Sequence, residues 1–120
     1  MKADAIRKFA LSLPAANEEP HFDFASFRVK GKIFATLPPR GEYVHIFIDD
    51  EQREMALAMY PEFIENLFWG RKISGVRICL AKAKPVVVQT LLTGAWRRKA
   101  PKALLQAENR SPTPNVGGGK

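Results

Sequence analysis

The side chains with the clearest chemical meaning in this chain are cationic, and they crowd into its second half. Residues 71–120 carry eleven Lys/Arg against one acid, Glu108, whereas residues 1–70 carry eight against eleven acids, so a balance of +10 follows one of −3. That asymmetry makes a directional field that draws polyanions, of which nucleic acid is the commonest inside a cell. Arg71, Lys72, Arg77, Lys82 and Lys84 flank a late strand, and alternation turns Arg77 away from the core. Arg97, Arg98, Lys99 and Lys102 end a helix, with Arg98 and Lys102 stacked at i, i+4, and a smaller group, Arg28, Lys30 and Lys32, surrounds the first hairpin turn. Of these, Arg71, Lys72, Arg77, Arg97, Arg98, Lys99 and Lys102 are the expected phosphate contacts. Helix-turn-helix, RNP and zinc-finger signatures are all missing, so the expected mode is backbone contact without base readout. The competing explanation is a solvated basic surface, since cations at a helix C-terminus also answer the helix dipole.

Residues that could do covalent or acid–base chemistry are few and scattered. His21 and His45 are the only imidazoles, with Asp23 two residues from His21, and no zinc-site spacing joins them. Ser26 and Ser74 have no base assigned by any motif, and the chain lacks GxxxxGK[ST], GxGxxG, HExxH and GxSxG. The expectation is therefore a protein that is not an enzyme and needs no metal or cofactor. Cys79, the single cysteine, cannot form an internal disulfide and reads as a small hydrophobe in a reducing compartment.

The elements that must position the cations fit one domain. With 46% hydrophobic and 26% charged residues, and no apolar run near the roughly 20 residues that span a bilayer, the chain reads as a cytoplasmic globular protein with no membrane partner. Ile6, Phe9, Ala10 and Leu13 form the apolar stripe of a first helix closed by Pro14, and Ala15 to His21 reads as a loop. FDFASFRV, IFATL and YVHIFI then read as three strands of a meander, with a bulge expected near Ala25-Ser26 and Val44, Ile46 and Ile48 facing the core. Asp49 with Gln52 three residues on starts a second helix, ending near Met59 before Pro61. A strand or strand pair follows, ending in Ser74–Leu80, and Pro85 opens a third helix carrying Val87, Val88, Leu91, Leu92 and Ala95. Pro101 marks a break, and Ala103 to Leu105 form a last turn or two. Residues 1–106 are the expected domain and 107–120 a disordered tail. The aromatics Phe22, Phe24, Phe27, Phe34, Phe47 and Phe63 read as core, with Phe68-Trp69 beside Arg71-Lys72 as a surface exception. The order is that of an α+β two-layer sandwich, helices on one face of an antiparallel sheet.

The segments PHFDFASFRVKGKIFATL, DDEQRE, WGRKISGVRICL and AWRRKAPKALL together resemble the MmcQ/YjbR-like proteins over roughly residues 3–106. The resemblance implies a small α+β fold with secretion-chaperone-like topology and a family commonly labelled DNA-binding, and it implies no catalytic residue, metal or cofactor. Gly75 stands near where members often carry an aromatic residue. DNA is thus the expected partner, bound without sequence preference. The alternative is a protein-interaction or chaperone-like module without nucleic-acid binding, working through a protein partner or a homodimer, and a pocket for a phosphorylated metabolite is the weakest reading.

Overall fold

A computed structural model describes residues 1–110, and ten elements follow one another along them. They are α1 (Ala3–Ser12), β1 (Ala16–His21), β2 (Phe24–Val29), β3 (Lys32–Leu37), β4 (Tyr43–Ile46), α2 (Asp50–Met59), β5 (Ile64–Trp69), β6 (Lys72–Cys79), α3 (Pro85–Lys99) and α4 (Lys102–Arg110). The strands make one antiparallel sheet in the order β1-β2-β3-β4-β6-β5, so the fold is α+β as expected. Short turns keep β1 to β4 adjacent. Helix α2 then carries the chain past the next sheet position, so that β5 forms the far edge and β6 returns to lie between it and β4.

Local chemistry explains the boundaries. The Asp49 carboxylate accepts the Gln52 backbone N–H at 2.8 Å, capping α2, whose first turn also holds Asp50 and Glu51 at the positive end of the helix dipole. Pro85 occupies the first turn of α3, where its missing N–H costs no helical bond. Gly70, at φ +62°, supplies the left-handed residue that turns β5 into β6.

One cluster fills the core: Phe27, Val29, Phe34, Val44, Ile46, Val76 and Ile78 from the sheet meet Ile6 and Ala10 of α1, Ala56 of α2, and Val88, Leu92, Ala95 and Trp96 of α3. Val44, Ile46 and Ile48 are buried as alternation predicts. Trp96, fully buried, donates its indole N–H to the Pro14 carbonyl at 2.9 Å and so ties α3 to the end of α1.

Several expectations change. Ala16 to His21 is a strand, paired with β2 from Ala16↔Val29 to His21↔Phe24. It is an edge strand whose central Asn17, Glu18, Glu19 and Pro20 are exposed, so it lacks the apolar alternation that betrays a strand in sequence. The bulge lies in β3, where Phe27 pairs with Ala35 and Arg28 with Ile33, leaving Phe34 unmatched. Phe34 to Leu37 are all buried, so β3 shows no alternation of exposure beyond the bulge. Phe22, expected in the core, sits in the β1–β2 turn at φ 59° and is 89% exposed. The late strand starts at Lys72, two residues before Ser74, and is the second member of a pair with β5. Gly75 is required there: a Cβ on it would stand 2.2 Å from the Ile46 carbonyl oxygen on the neighbouring strand. Pro101 separates α3 from α4, which continues to Arg110, beyond the turn or two expected around Leu105. Residues 111–120, the remainder of the expected tail, lie outside the described residues.

Candidate nucleic-acid interface

Antiparallel register fixes which cations share an end of the sheet. Ala35 pairs with Ile46 and Ile46 with Val76, so the start of β3, the finish of β4 and the start of β6 lie at one end. Both the Lys30-Gly31 turn between β2 and β3 and the Gly70-Arg71 turn between β5 and β6 project there. Helix α3 brings its C-terminus to the same end: Arg98 donates to the Phe47 carbonyl, just past β4, at 3.2 Å.

Six of the seven expected contact residues thereby gather at this end. Arg71 and Lys72 stand at the β5–β6 turn, both exposed; Arg97 and Arg98 are exposed on the last turn of α3, Lys99 is half-buried beside them, and Lys102 opens α4. Arg97 also makes contacts of its own within the protein. Lys30 and Lys32 of the first hairpin join them. Burial, then the charge of Arg98, then that of Lys32 hold the Lys99 ammonium below its ordinary range. Like charges have been brought together here, and their mutual repulsion disfavours the charged form of Lys99 after burial does.

Arg77 belongs elsewhere. It projects from the middle of β6 on the sheet face opposite the core, where Glu65 of β5 accepts its Nη1–H at 2.5 Å and the Tyr43 ring lies 3.5 Å beneath its guanidinium. It is one member of a polar row that crosses all six strands by register: Glu19, Ser26, Thr36, His45, Arg77 and Glu65. Ser26 is fully buried in that row, but its hydroxyl donates to the Glu19 carbonyl at 2.7 Å and accepts from Arg28 Nε at 3.0 Å, so it is a satisfied structural group. His45 lies in the row with its Nε2 buried and without a hydrogen-bond partner. Burial, and secondarily the neighbouring Arg77, lower its pKa.

The remaining reactive types stay apart. The His21 ring packs against Phe22, the Ser74 hydroxyl donates to the Leu67 carbonyl at 3.4 Å, and Cys79 is a half-buried free thiol. Among the described residues no group of three or more His, Cys, Asp or Glu could hold a metal ion. Phe68 and Trp69 are 57% and 77% exposed on the edge strand beside Arg71 and Lys72, as the spacing predicts.

Acids divide the basic end into two lobes. Residues Asp49, Asp50 and Glu51 continue from β4, the strand lying between β3 and β6. Two of them are committed locally, Asp49 to the cap of α2 and Asp50 to Arg53 at 3.4 Å. The larger lobe is the pairing of the first hairpin with the end of α3. Lys30 and Lys32 lie far from the other cations in sequence, and only the register brings them to the α3 terminus.

A family model described as YjbR matches residues 11–98. The crystal structure of the Deinococcus radiodurans protein DR2400, with a domain described as DUF419, superimposes with a TM-score of 0.72 at 18% identity, covering 98% of this chain and 96% of that one. No curated protein matches the chain. No described helix is long and apolar enough to cross a membrane.

Proposed function

The chain belongs to the YjbR family, and from that premise we propose that it binds DNA through phosphate contacts made by the end of the sheet where the first hairpin meets α3. The observation that carries this reading is the gathering of the hairpin of Lys30 and Lys32 with Arg98 and Lys99 at one end of the sheet, where Arg98 donates to the Phe47 carbonyl at 3.2 Å. A phosphate placed among these cations releases condensed counterions, the term that dominates sequence-independent binding. The second lobe, Arg71 and Lys72, projects from a turn three strand positions away, about 14 Å at the usual spacing of strands. That separation is close to the roughly 12 Å width of the B-DNA major groove, so both lobes can meet phosphates of one duplex. Phe68 and Trp69 beside the second lobe offer ring faces to an unpaired base.

The test is titration of a short duplex and a matching single strand at low and physiological salt. The expected result is binding that varies little with sequence and weakens steeply with salt. Joint replacement of Lys32, Arg98 and Lys99 by Ala should weaken it and flatten the log-log salt slope by up to roughly three contacts at about 0.9 each. Absence of binding at low salt, or an unchanged slope in a folded triple variant, overturns the proposal.

A further inference from the structure

The two edges of the sheet are finished differently. β1 closes one side with Asn17, Glu18, Glu19 and Pro20 exposed along it, and a proline sits in an edge strand where its missing N–H faces outward, so this edge refuses a further strand. β5 closes the other side without a proline. Of the eight exposed large hydrophobic side chains among the described residues, three gather there: Phe68 and Trp69 of β5, and Ile73, which the register sets opposite Phe68, are 57%, 77% and 40% exposed. Glu65, the one charge within β5, does not guard this edge, because its carboxylate is drawn inward to Arg77 of β6.

Register identifies the unused backbone groups. Cys79 donates its N–H to the Phe63 carbonyl at 2.9 Å, and hydrogen-bonded pairs alternate along an antiparallel ladder, so Glu65 and Leu67 also face β6 while Ile64 and Asn66 face outward. The Ile64 N–H turns back to the Tyr60 carbonyl at 3.0 Å, which leaves the Ile64 carbonyl and both backbone groups of Asn66 on the open edge. The strand also runs from acid to base. Glu62 precedes it, Arg71 and Lys72 follow it, all three are exposed, and none has an ion partner among the described residues.

We propose that β5 pairs antiparallel with β5 of a second copy of this chain, joining two sheets into one about a two-fold axis. Such self-pairing sets the acidic start of each strand beside the basic finish of the other, so Glu62 of each copy meets Arg71 and Lys72 of its mate, and the new ladder takes up the Asn66 N–H and carbonyl. A parallel pairing would oppose like charges at both ends instead. Pairing of β5 with β1 of another copy is resisted by Pro20 and would build an open-ended chain of copies rather than a closed pair. Six residues of pairing make a small interface, so the dimer is weak. The second basic lobe lies on this edge, so a partner copy and a nucleic acid compete for Arg71 and Lys72, whereas the hairpin of Lys30 and Lys32 is three strand positions away.

The experiment is sedimentation equilibrium of the full chain, freed of nucleic acid, over a wide range of concentration. A monomer–dimer equilibrium in the micromolar to sub-millimolar range is expected. Arg71→Glu with Lys72→Glu, and separately Glu62→Lys, should each weaken the dimer roughly tenfold in proteins with an unchanged melting temperature, since these side chains have no ion partner to lose within their own chain. An equimolar mixture of the two variant proteins should restore dimerisation, because pairing one with the other sets unlike charges at both ends of the strand. Hydrogen exchange at the Asn66 backbone amide should slow as the dimer fills. The proposal is overturned by a chain that stays monomeric at every concentration, by assemblies larger than a dimer, by a dimer indifferent to both charge reversals, or by a mixture that remains monomeric. An Asn66 amide that exchanges equally fast in dilute and concentrated protein overturns it as well. Nucleic acid is absent from every arm, so this proposal and the DNA-binding one fail independently.

Discussion

The sheet face opposite the core and the basic end of the sheet both carry arginine, yet they handle charge in opposite ways. On the face, Arg77 is held between a carboxylate and a ring, and it stands in a row that begins and ends in glutamate. At the end, Lys32, Arg98 and Lys99 have one another for company. A count of cations treats these regions alike. Pairing separates them: a paired arginine is a cross-strand brace whose field is largely cancelled, whereas cations gathered beside one another keep a field that reaches out to a polyanion.

The largest effect that breaks this contrast acts through the packing beneath it. Trp96 anchors the last turns of α3, and Trp96→Ala should cost about 3–5 kcal/mol in denaturant unfolding, the range for truncating a buried tryptophan. Trp96→Phe keeps most of the ring contacts and leaves the Pro14 carbonyl without its donor, so about 1–3 kcal/mol is expected. If the phenylalanine variant were as damaging as the alanine one, the hydrogen bond rather than the packing would be what places the basic end.

A smaller effect sharpens the contrast directly. Arg77→Met removes one formal charge, as does Arg98→Met. The first should leave DNA affinity unchanged and lower stability by less than about 1 kcal/mol, since Arg77 and Glu65 are both partly exposed. The second should weaken binding with stability intact. Equal losses of affinity from the two would erase the distinction between paired and gathered cations.

The smallest effect is one of pH, in the polar row of the sheet. Burial and Arg77 disfavour protonated His45, so its folded pKa lies below the ordinary imidazole value of about 6.5. Above that value both folded and unfolded chains hold a neutral ring and nothing is lost. As pH falls through it, the unfolded chain takes up a proton that the folded one resists, and stability declines. His45→Gln should flatten the fall in melting temperature between roughly pH 7 and 5. A fall left unchanged in His45→Gln would remove His45 as the source.

Much of this organisation is legible in the residues themselves. The α1 stripe of Ile6 and Ala10, the Asp49 cap, the Pro85 start and the inward triad Val44, Ile46 and Ile48 are all local patterns, and each appears where its period or chemistry places it. β1 was not legible, because an edge strand with polar residues on both sides carries no alternation to detect. Phe22 reads as core by its type, but a hairpin turn leaves it in water. The exposure of Met55 and Met59 is equally hidden, since methionines at i, i+4 look like an ordinary buried stripe, yet they are 61% and 59% exposed.

By itself, then, the sequence determined the kinds of element, their inward faces, the caps that bound them and the surplus of cations after residue 70, because burial side and helix starts are encoded over a few residues. Which cations share a surface was decided by tertiary structure alone. The crossover by α2 puts β5 at the edge and β6 beside β4, and that order sends two hairpin turns and the end of α3 to one end of the sheet while Arg77 falls opposite Glu65. Strand order is a property of the whole packed sheet, and no local periodicity carries it.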